Sequence, residues 1–334
     1  MSHRLRLARL ILSHAFAARA VEFVALITNR EDSVASKACF GHGLVESGQI
    51  EVSDLLVLVM DLRALDPEGG IARGQGLIMG HIRSELKEDV LRITIDRPEK
   101  KNALTGAMYN ALADAVERGE ANPDVRVLLL DGKGDSFTAG NDLEDFVANP
   151  WKEDLDPPAI RFITSVVDAG KPIVAAVHGS AVGVGVTILL HCDLVYAADN
   201  AKLMMPFVNL GIVPEAASTV ILPMLIGHQR AAELLMLGTP ISAQRAYELG
   251  MVNAVVPLDA LMPTAMHAAQ MLAERPAAAL RATKALMKKA GTAEMGRALR
   301  EEVEVIAQRL GSPETREALT AFLEKRRPDF KQFR

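Results

Sequence analysis

The chain has 334 residues, 49% hydrophobic and 24% charged, with a formal net charge of −5. This is length for one large domain or two ordinary ones, an ordinary globular mixture, and no sign of the clustered Lys and Arg that mark a nucleic-acid surface. Cys39 and Cys192, the only cysteines, lack CxxC spacing and make neither a disulfide framework nor a zinc site, which fits a reducing, cytoplasmic setting; no apolar run reaches the roughly 18 residues that span a bilayer.

The first segment is basic. Arg4, Arg6, Arg9 and Arg19 all precede the first acid, Glu22, among Leu, Ala, Ser and Phe. Such a composition resembles an organelle-targeting peptide. The blander readings are an added helix, or translated sequence ahead of a native start at Met79, and the last of these is preferred. Residues 1–78 are therefore set apart as an N-terminal extension of unknown role.

From Val90 onward strand and helix patterns alternate. Leu91, Ile93 and Ile95 against Arg92, Thr94 and Asp96 give the period of two expected of a strand over 91–96, stopped by Pro98. Thr105 is placed to cap a helix whose apolar positions Met108, Leu112 and Ala115/Val116 recur at helical spacing, with Asn122-Pro123 as its stop. Continuous apolar runs predict buried strands over 125–130 and 173–177, with shorter strands over 194–197, 203–205 and 252–256. Residues 184–191 read as a buried helix, and 242–249 as a capped helix ended by Gly250. Beyond Pro257 only helical patterns remain, one opened by Pro276 and one over about 292–310. Alternating strands and helices argue for an α/β fold.

Three stretches carry a resemblance. Residues 138–142 read TAGND, 178–185 read HGSAVGVG, and 205–215 read MPFVNLGIVPE. Together they resemble the crotonase superfamily, also called the enoyl-CoA hydratase/isomerase family, over about residues 82–330. The resemblance implies a spiral of ββα turns (79–265) followed by a C-terminal helical region (266–334) that mediates trimers, often paired into hexamers. It also implies a coenzyme A thioester as substrate, with no cofactor, metal, nucleic acid or membrane partner.

An enzyme working beside a thioester carbonyl must stabilise an enolate, and backbone N–H groups do so without titrating. By resemblance the donors are the N–H of Asn141, after Gly140, and the N–H of Val184, after Gly183 at the start of a helix. Val184 stands where many hydratases have the middle of three glycines. The resemblance places coenzyme A contacts at Lys101 and Ala103, in the loop KKNAL (100–104), along Thr138, Ala139, Gly140, Asn141 and Asp142, and at Gly183. Family hydratases hold a water between two glutamates; the matching positions here are Thr187 and Phe207, neither of which carries a proton at neutral pH. Glu215, eight residues beyond Phe207, matches the single catalytic carboxylate of Δ3-Δ2-enoyl-CoA isomerases, the members closest in motif. The expected reaction is therefore isomerisation of a 3-enoyl-CoA. Enoyl-CoA hydration and non-catalytic acyl-CoA binding are the alternatives.

Other residues draw attention for less. His178 and His191 lie in apolar surroundings typical of satisfied core histidines. Asp193 and Asp199 read as structural. Ser218, His228 and an Asp lack the G-x-S-x-G turn of a nucleophile. Lys284, Lys288 and Lys289 are basic residues able in principle to meet a phosphate, and Phe146, Val147, Trp151 and Phe162 are candidates for the acyl pocket.

Overall fold

The computed structural model describes residues 76–148, 157–289 and 291–333. Most of the 1–78 extension, Cys39 and Trp151 lie outside the described residues. The sheet opens with an antiparallel meander, β1 (Gly76–Met79), β2 (Ile82–Lys87) and β3 (Val90–Ile95). It takes in three residues ahead of Met79. Glu88 and Asp89, both at positive φ (50° and 62°), form the two-residue turn between β2 and β3, and a turn of that hand matches the twist of the strands it joins. The alternation of Ile82, Ser84 and Leu86, all buried, with exposed neighbours is a strand signal that the sequence carried and the reading above did not use.

Beyond β3 the sheet becomes parallel, in the order β3, β4 (Val127–Gly132), β5 (Ile173–Val177), β7 (Leu194–Ala198), β10 (Ala254–Val256). A second, smaller sheet consists of β6 (Ser180–Val182), β8 (Lys202–Met204) and β9 (Ile241–Ser242). The turns that begin with β5 and β7 each give one strand to each sheet and then a helix, and after β4 the chain reaches the smaller sheet through the bridge Thr138–Ala181. This is the ββα spiral.

Both faces of the central strands are covered, which is why they read as unbroken apolar runs rather than alternating ones. Helix α1 (Gly106–Ala121), capped by Thr105, lies so close on one face that a Cβ on Gly119 would sit 2.8 Å or less from Leu91 and Leu128. On the other face Leu261, Ala265 and Ala269 of α8 (Leu258–Ala273) pack on Val127, Leu129, Val174 and Ala176. The expected division at 265/266 therefore falls inside a helix that belongs to the core. Helices α9 (Ala277–Lys289), α10 (Thr292–Leu310) and α11 (Pro313–Leu323) follow it.

Local differences have local reasons. The strand expected from 125 begins at Val127, because the Val125 N–H closes the turn on the Asn122 carbonyl. The helix expected over 184–191 divides into α4 (Val184–Thr187) and a 3₁₀ turn (Ile188–His191). Between these elements lie α2 (Leu143–Ala148), α3 (Pro158–Asp168), α5 (Ser218–Ile226), α6 (His228–Ala232) and α7 (Ala243–Glu248). Of these only α7, capped by Ser242, is among the helices expected from the sequence.

Candidate active site

Two loops that leave neighbouring strands run side by side. Thr138 pairs with Ala181 in a parallel bridge, the Thr138 N–H donates to the Ser180 carbonyl (3.0 Å), and the Val182 N–H returns to the Thr138 carbonyl (3.0 Å). Glycine is required where they touch. Gly140 has φ +82°, and a Cβ there would lie 2.8 Å from the Val182 carbonyl oxygen. Gly183 has φ +57°, and a Cβ on Gly185 would lie 2.5 Å from the Thr138 methyl. Side chains at these points would force the loops apart.

The contact brings the two expected donors to one place. Neither the Asn141 N–H nor the Val184 N–H has a hydrogen-bond acceptor among the described residues, whereas the Gly183 N–H is used by Met204 (2.8 Å) and the Asp142 N–H by Leu104 (2.9 Å). Val184 is the first residue of α4, so its N–H is one of the donors every helix start leaves free.

The loop of residues 98–104 is stitched to the same place. Asn102, fully buried, donates from its amide to the carbonyls of Lys133, Ser136 and Phe137 and accepts from the Arg97 N–H. The Lys101 carbonyl accepts from Ala139 N–H (2.9 Å), and the Gly140 carbonyl from Leu104 N–H (2.8 Å). A cavity of about 530 Å³ opens over this junction. Lys101, Ala103, Ala139, Gly140, Asn141, Asp142, Gly183 and Val184 all line it, with Lys100, Met204, Phe207, Leu210, Ile212 and, from α11, Phe322. Thr138 is the one expected contact that does not. It is buried, and its hydroxyl donates to the Asn102 carbonyl and accepts from the Gly140 N–H, so it shapes the loop from behind. The Asp142 carboxylate is likewise occupied. It pairs with Arg97 (2.7 Å) and caps α2 through the N–H groups of Glu144 and Asp145. Burial works to raise its pKa, but Arg97 and the two N–H donors more than offset that and hold it below the ordinary value.

Glu215 lies deeper, 6% exposed and outside the lining of the cavity. The Thr187 hydroxyl donates to it at 3.4 Å. Thr187 stands three residues beyond Val184, on the same side of α4. From the other loop, Tyr109 of α1 donates its phenol to the Asn141 side-chain oxygen. Burial first, and then the charge of Glu215, raise the pKa of Tyr109 well above its ordinary value. The carboxylate is thus held by a side chain of the helix that Val184 opens, and its charge is felt by Tyr109, which is bonded to Asn141. Burial, and then the like charge of Glu302, raise its pKa from 4.5 to about 7 against the pull of Thr187. A carboxyl so poised can take up and release a proton near neutral pH. Phe207, 7% exposed, forms part of the apolar wall of the cavity.

The remaining candidates sort themselves by contact. His178 bonds the Gly134 carbonyl (3.0 Å) and His191 the Ala216 carbonyl (2.7 Å), both as buried structural groups. Burial lowers His191 to a pKa of about 4, so it is neutral and its Nε2–H donates. Asp193 holds the Ile173 N–H (2.8 Å). Lys284 is buried and donates to Asp193 and the Lys171 carbonyl (both 2.7 Å), and Lys288 donates to the Val167 carbonyl (3.0 Å). Neither lines the cavity over the two loops, so they brace helix α9 rather than meet a phosphate there. Ser218 is fully buried and its hydroxyl has no partner among the described residues, while His228 is exposed, so no triad forms. Of the acyl-pocket candidates, Phe146 lines a 120 Å³ recess beside Asn141 and Tyr109, Phe162 packs on Tyr109 at 6.1 Å between ring centres, and Val147 is 45% exposed. Tyr109, Glu302 and Phe322 escaped the sequence reading, since no motif marks them. No cluster of three or more His, Cys, Asp or Glu able to hold a metal occurs, and no helix is long and apolar enough to cross a membrane, among the described residues.

A spiral of ββα turns that presents free N–H groups from two adjoining glycine loops defines a class, and comparison with known proteins agrees. Residues 85–333 match the family described as enoyl-CoA hydratase/isomerase, and the chain belongs to it. It is 36% identical over 261 residues to the 1,2-epoxyphenylacetyl-CoA isomerase of Escherichia coli, covering 76% of this chain and 99% of that one. It is 30% identical over 245 residues to the 2,3-dehydroadipyl-CoA hydratase of the same organism, covering 73% and 96%. Among solved structures, an enoyl-CoA hydratase/isomerase from Pseudoalteromonas atlantica superposes with a TM-score of 0.72 at 40% identity, covering 75% of this chain and 99% of the other. The chain is thus an enzyme-family member with the crotonase fold, for which an acyl-CoA substrate is consistent.

Proposed function

We propose that the protein isomerises 3-enoyl-CoA to trans-2-enoyl-CoA. Glu215 removes a proton from carbon 2, and the charge moves onto the thioester oxygen. The N–H groups of Asn141 and Val184 stabilise the resulting enolate. Protonated Glu215 then returns the proton to carbon 4, and the double bond moves from carbons 3 and 4 to carbons 2 and 3. Nothing is added and nothing leaves. The coenzyme A moiety lies along Lys101, Ala103 and residues 139–142, in the cavity that opens there.

Relatives bear both hydratase and isomerase names, so the carboxylates decide the reading. The observation that carries it is the buried carboxyl of Glu215, poised near neutrality and hydrogen-bonded by Thr187, with the apolar Phe207 in the cavity wall. Hydration needs water held between two carboxylates, and these two positions offer none. Non-catalytic binding would leave the cost of burying Glu215 without a use. The test is to assay isomerisation and hydration of one acyl chain with the same preparation. Isomerisation should be much the faster; a hydration rate equal to it or above would overturn the proposal.

The same reading includes a homotrimer, or a hexamer of two trimers, built through residues 266–334. Leu286 and Met287 of α9, 69% and 72% exposed on the isolated chain, support it as apolar surface in that region. A cytoplasmic setting is the expectation that accompanies it.

A further inference from the structure

Glu215 is followed by an unusual piece of backbone. Ala216 and Ala217 both adopt left-handed conformations, φ 59° and 55°. Side chains with a Cβ avoid this region, and it persists only where the surroundings enforce it. Two groups do so. On one side His191 Nε2–H donates to the Ala216 carbonyl at 2.7 Å. On the other, Glu302 of α10 accepts from the Ala217 N–H (2.7 Å), the Thr219 N–H (3.1 Å) and the Thr219 hydroxyl (2.5 Å). Glu302 is buried and lies 85 residues along the chain from Ala217. It therefore serves as the missing cap of α5, whose own preceding residue, Ala217, has no side-chain acceptor.

We propose that Glu302 is a positioning residue for the reaction, fixing the left-handed turn at Ala216–Ala217 and so the direction in which the Glu215 carboxyl leaves the chain. This inference rests on the reading of Glu215 as the proton shuttle. A carboxylate suits the task because it is acceptor-only and meets three donors, whereas an amide would turn an N–H toward at least one of them. The choice of a carboxylate has a second effect. Burial and then Glu302 raise the pKa of Glu215, and Thr187 opposes them. The other titratable groups at this turn are Tyr109 from α1, which feels the charge of Glu215, and His191, which burial keeps neutral. Burial also raises the pKa of Glu302 itself, against the bonds from Thr219 and Ala217.

The experiment compares kcat, KM and the pH profile of kcat for the full chain and for Glu302→Gln, Thr219→Val and Glu215→Gln, with 3-enoyl-CoA as substrate. Glu302→Gln should lower kcat by about tenfold or more with KM within about twofold, since misplacing a catalytic group by an ångström can cost about a hundredfold. The acid limb of its profile should move to lower pH, because the like charge facing Glu215 is gone. Thr219→Val removes one donor at an exposed residue and keeps the charge, so kcat should fall severalfold and the limb stay in place. A merely structural Glu302 would change the melting temperature and, through its lost charge, shift the limb, but leave the plateau kcat alone. If Glu302→Gln does not fold by circular dichroism, parental kcat in Thr219→Val overturns the proposal. An inactive Glu215→Gln beside a Glu302→Gln with parental plateau kcat, wherever its limb lies, overturns the positioning role and leaves the shuttle standing. A Glu215→Gln with full turnover overturns the shuttle, and this inference with it.

Discussion

Replacing Glu215 with Gln should cost activity and return stability, and the two effects can be read separately. The carboxyl is 6% exposed, and burial followed by Glu302 raises its pKa from 4.5 to about 7 despite Thr187. A folded-state pKa above the unfolded value means that the native protein holds the proton more tightly. Below 4.5 both states are protonated and there is no penalty; between 4.5 and about 7 stability falls as pH rises; above that the full penalty stands. At about 1.4 kcal/mol per tenfold in proton affinity, the rise from 4.5 to about 7 corresponds to about 3 kcal/mol. Glutamine occupies the same volume and cannot ionise, so the stability of the variant relative to the parent should grow by about 3 kcal/mol between about pH 4 and pH 8. Turnover should fall by about 10²–10⁴, the usual worth of a positioned acid–base group, while the dissociation constant for acyl-CoA changes little because the N–H donors and the 98–104 loop are untouched. The assays are urea melts followed by circular dichroism at the two pH values, isomerase turnover, and acyl-CoA titration in one buffer. A variant within threefold of parental turnover would remove Glu215 from the chemistry. A stability difference independent of pH would show that the carboxyl is not held at a raised pKa.

Other expectations follow from the same geometry. Val184→Pro should lower turnover by about 10²–10³, the worth of one such donor, while Val184→Ala, which keeps the N–H, stays near parental; position 184 opens α4, where proline is tolerated, so circular dichroism should show an intact fold. Gly140→Ala should destabilise the protein by about 1–3 kcal/mol in a urea melt and reduce activity, because residue 140 has φ +82° and its new Cβ meets the Val182 carbonyl. Lys284→Ala should lower the melting temperature and leave KM for acyl-CoA unchanged, since its ammonium is spent on Asp193 and the Lys171 carbonyl; a raised KM would instead return it to the phosphates.

The linear sequence determined whatever depends on local chemistry. Glycines at 140, 183 and 185 sit where two loops must approach, Thr105 and Ser242 cap the helices they precede, and the apolar runs at β4 and β5 mark strands covered on both faces. That residues 187 and 207 are Thr and Phe, and that residue 215 is Glu, is likewise legible residue by residue. The sequence reading missed α2, α3 and α5, although Asp142 caps α2, Pro158 opens α3 and Gly227 closes α5; only the start of α5 lacks a local signal, its cap coming from Glu302, far along the chain. The tertiary structure alone decided how Glu215 is held and charged. Its raised pKa comes from burial and from Glu302, its hydrogen bond from Thr187, and the turn that carries it from His191 and Glu302. The burial of Lys284 was equally invisible in a helix whose face cannot be read from one lysine. Desolvation and Coulomb interaction act through space, between groups that only the folded chain brings together, so no spacing in the sequence encodes them.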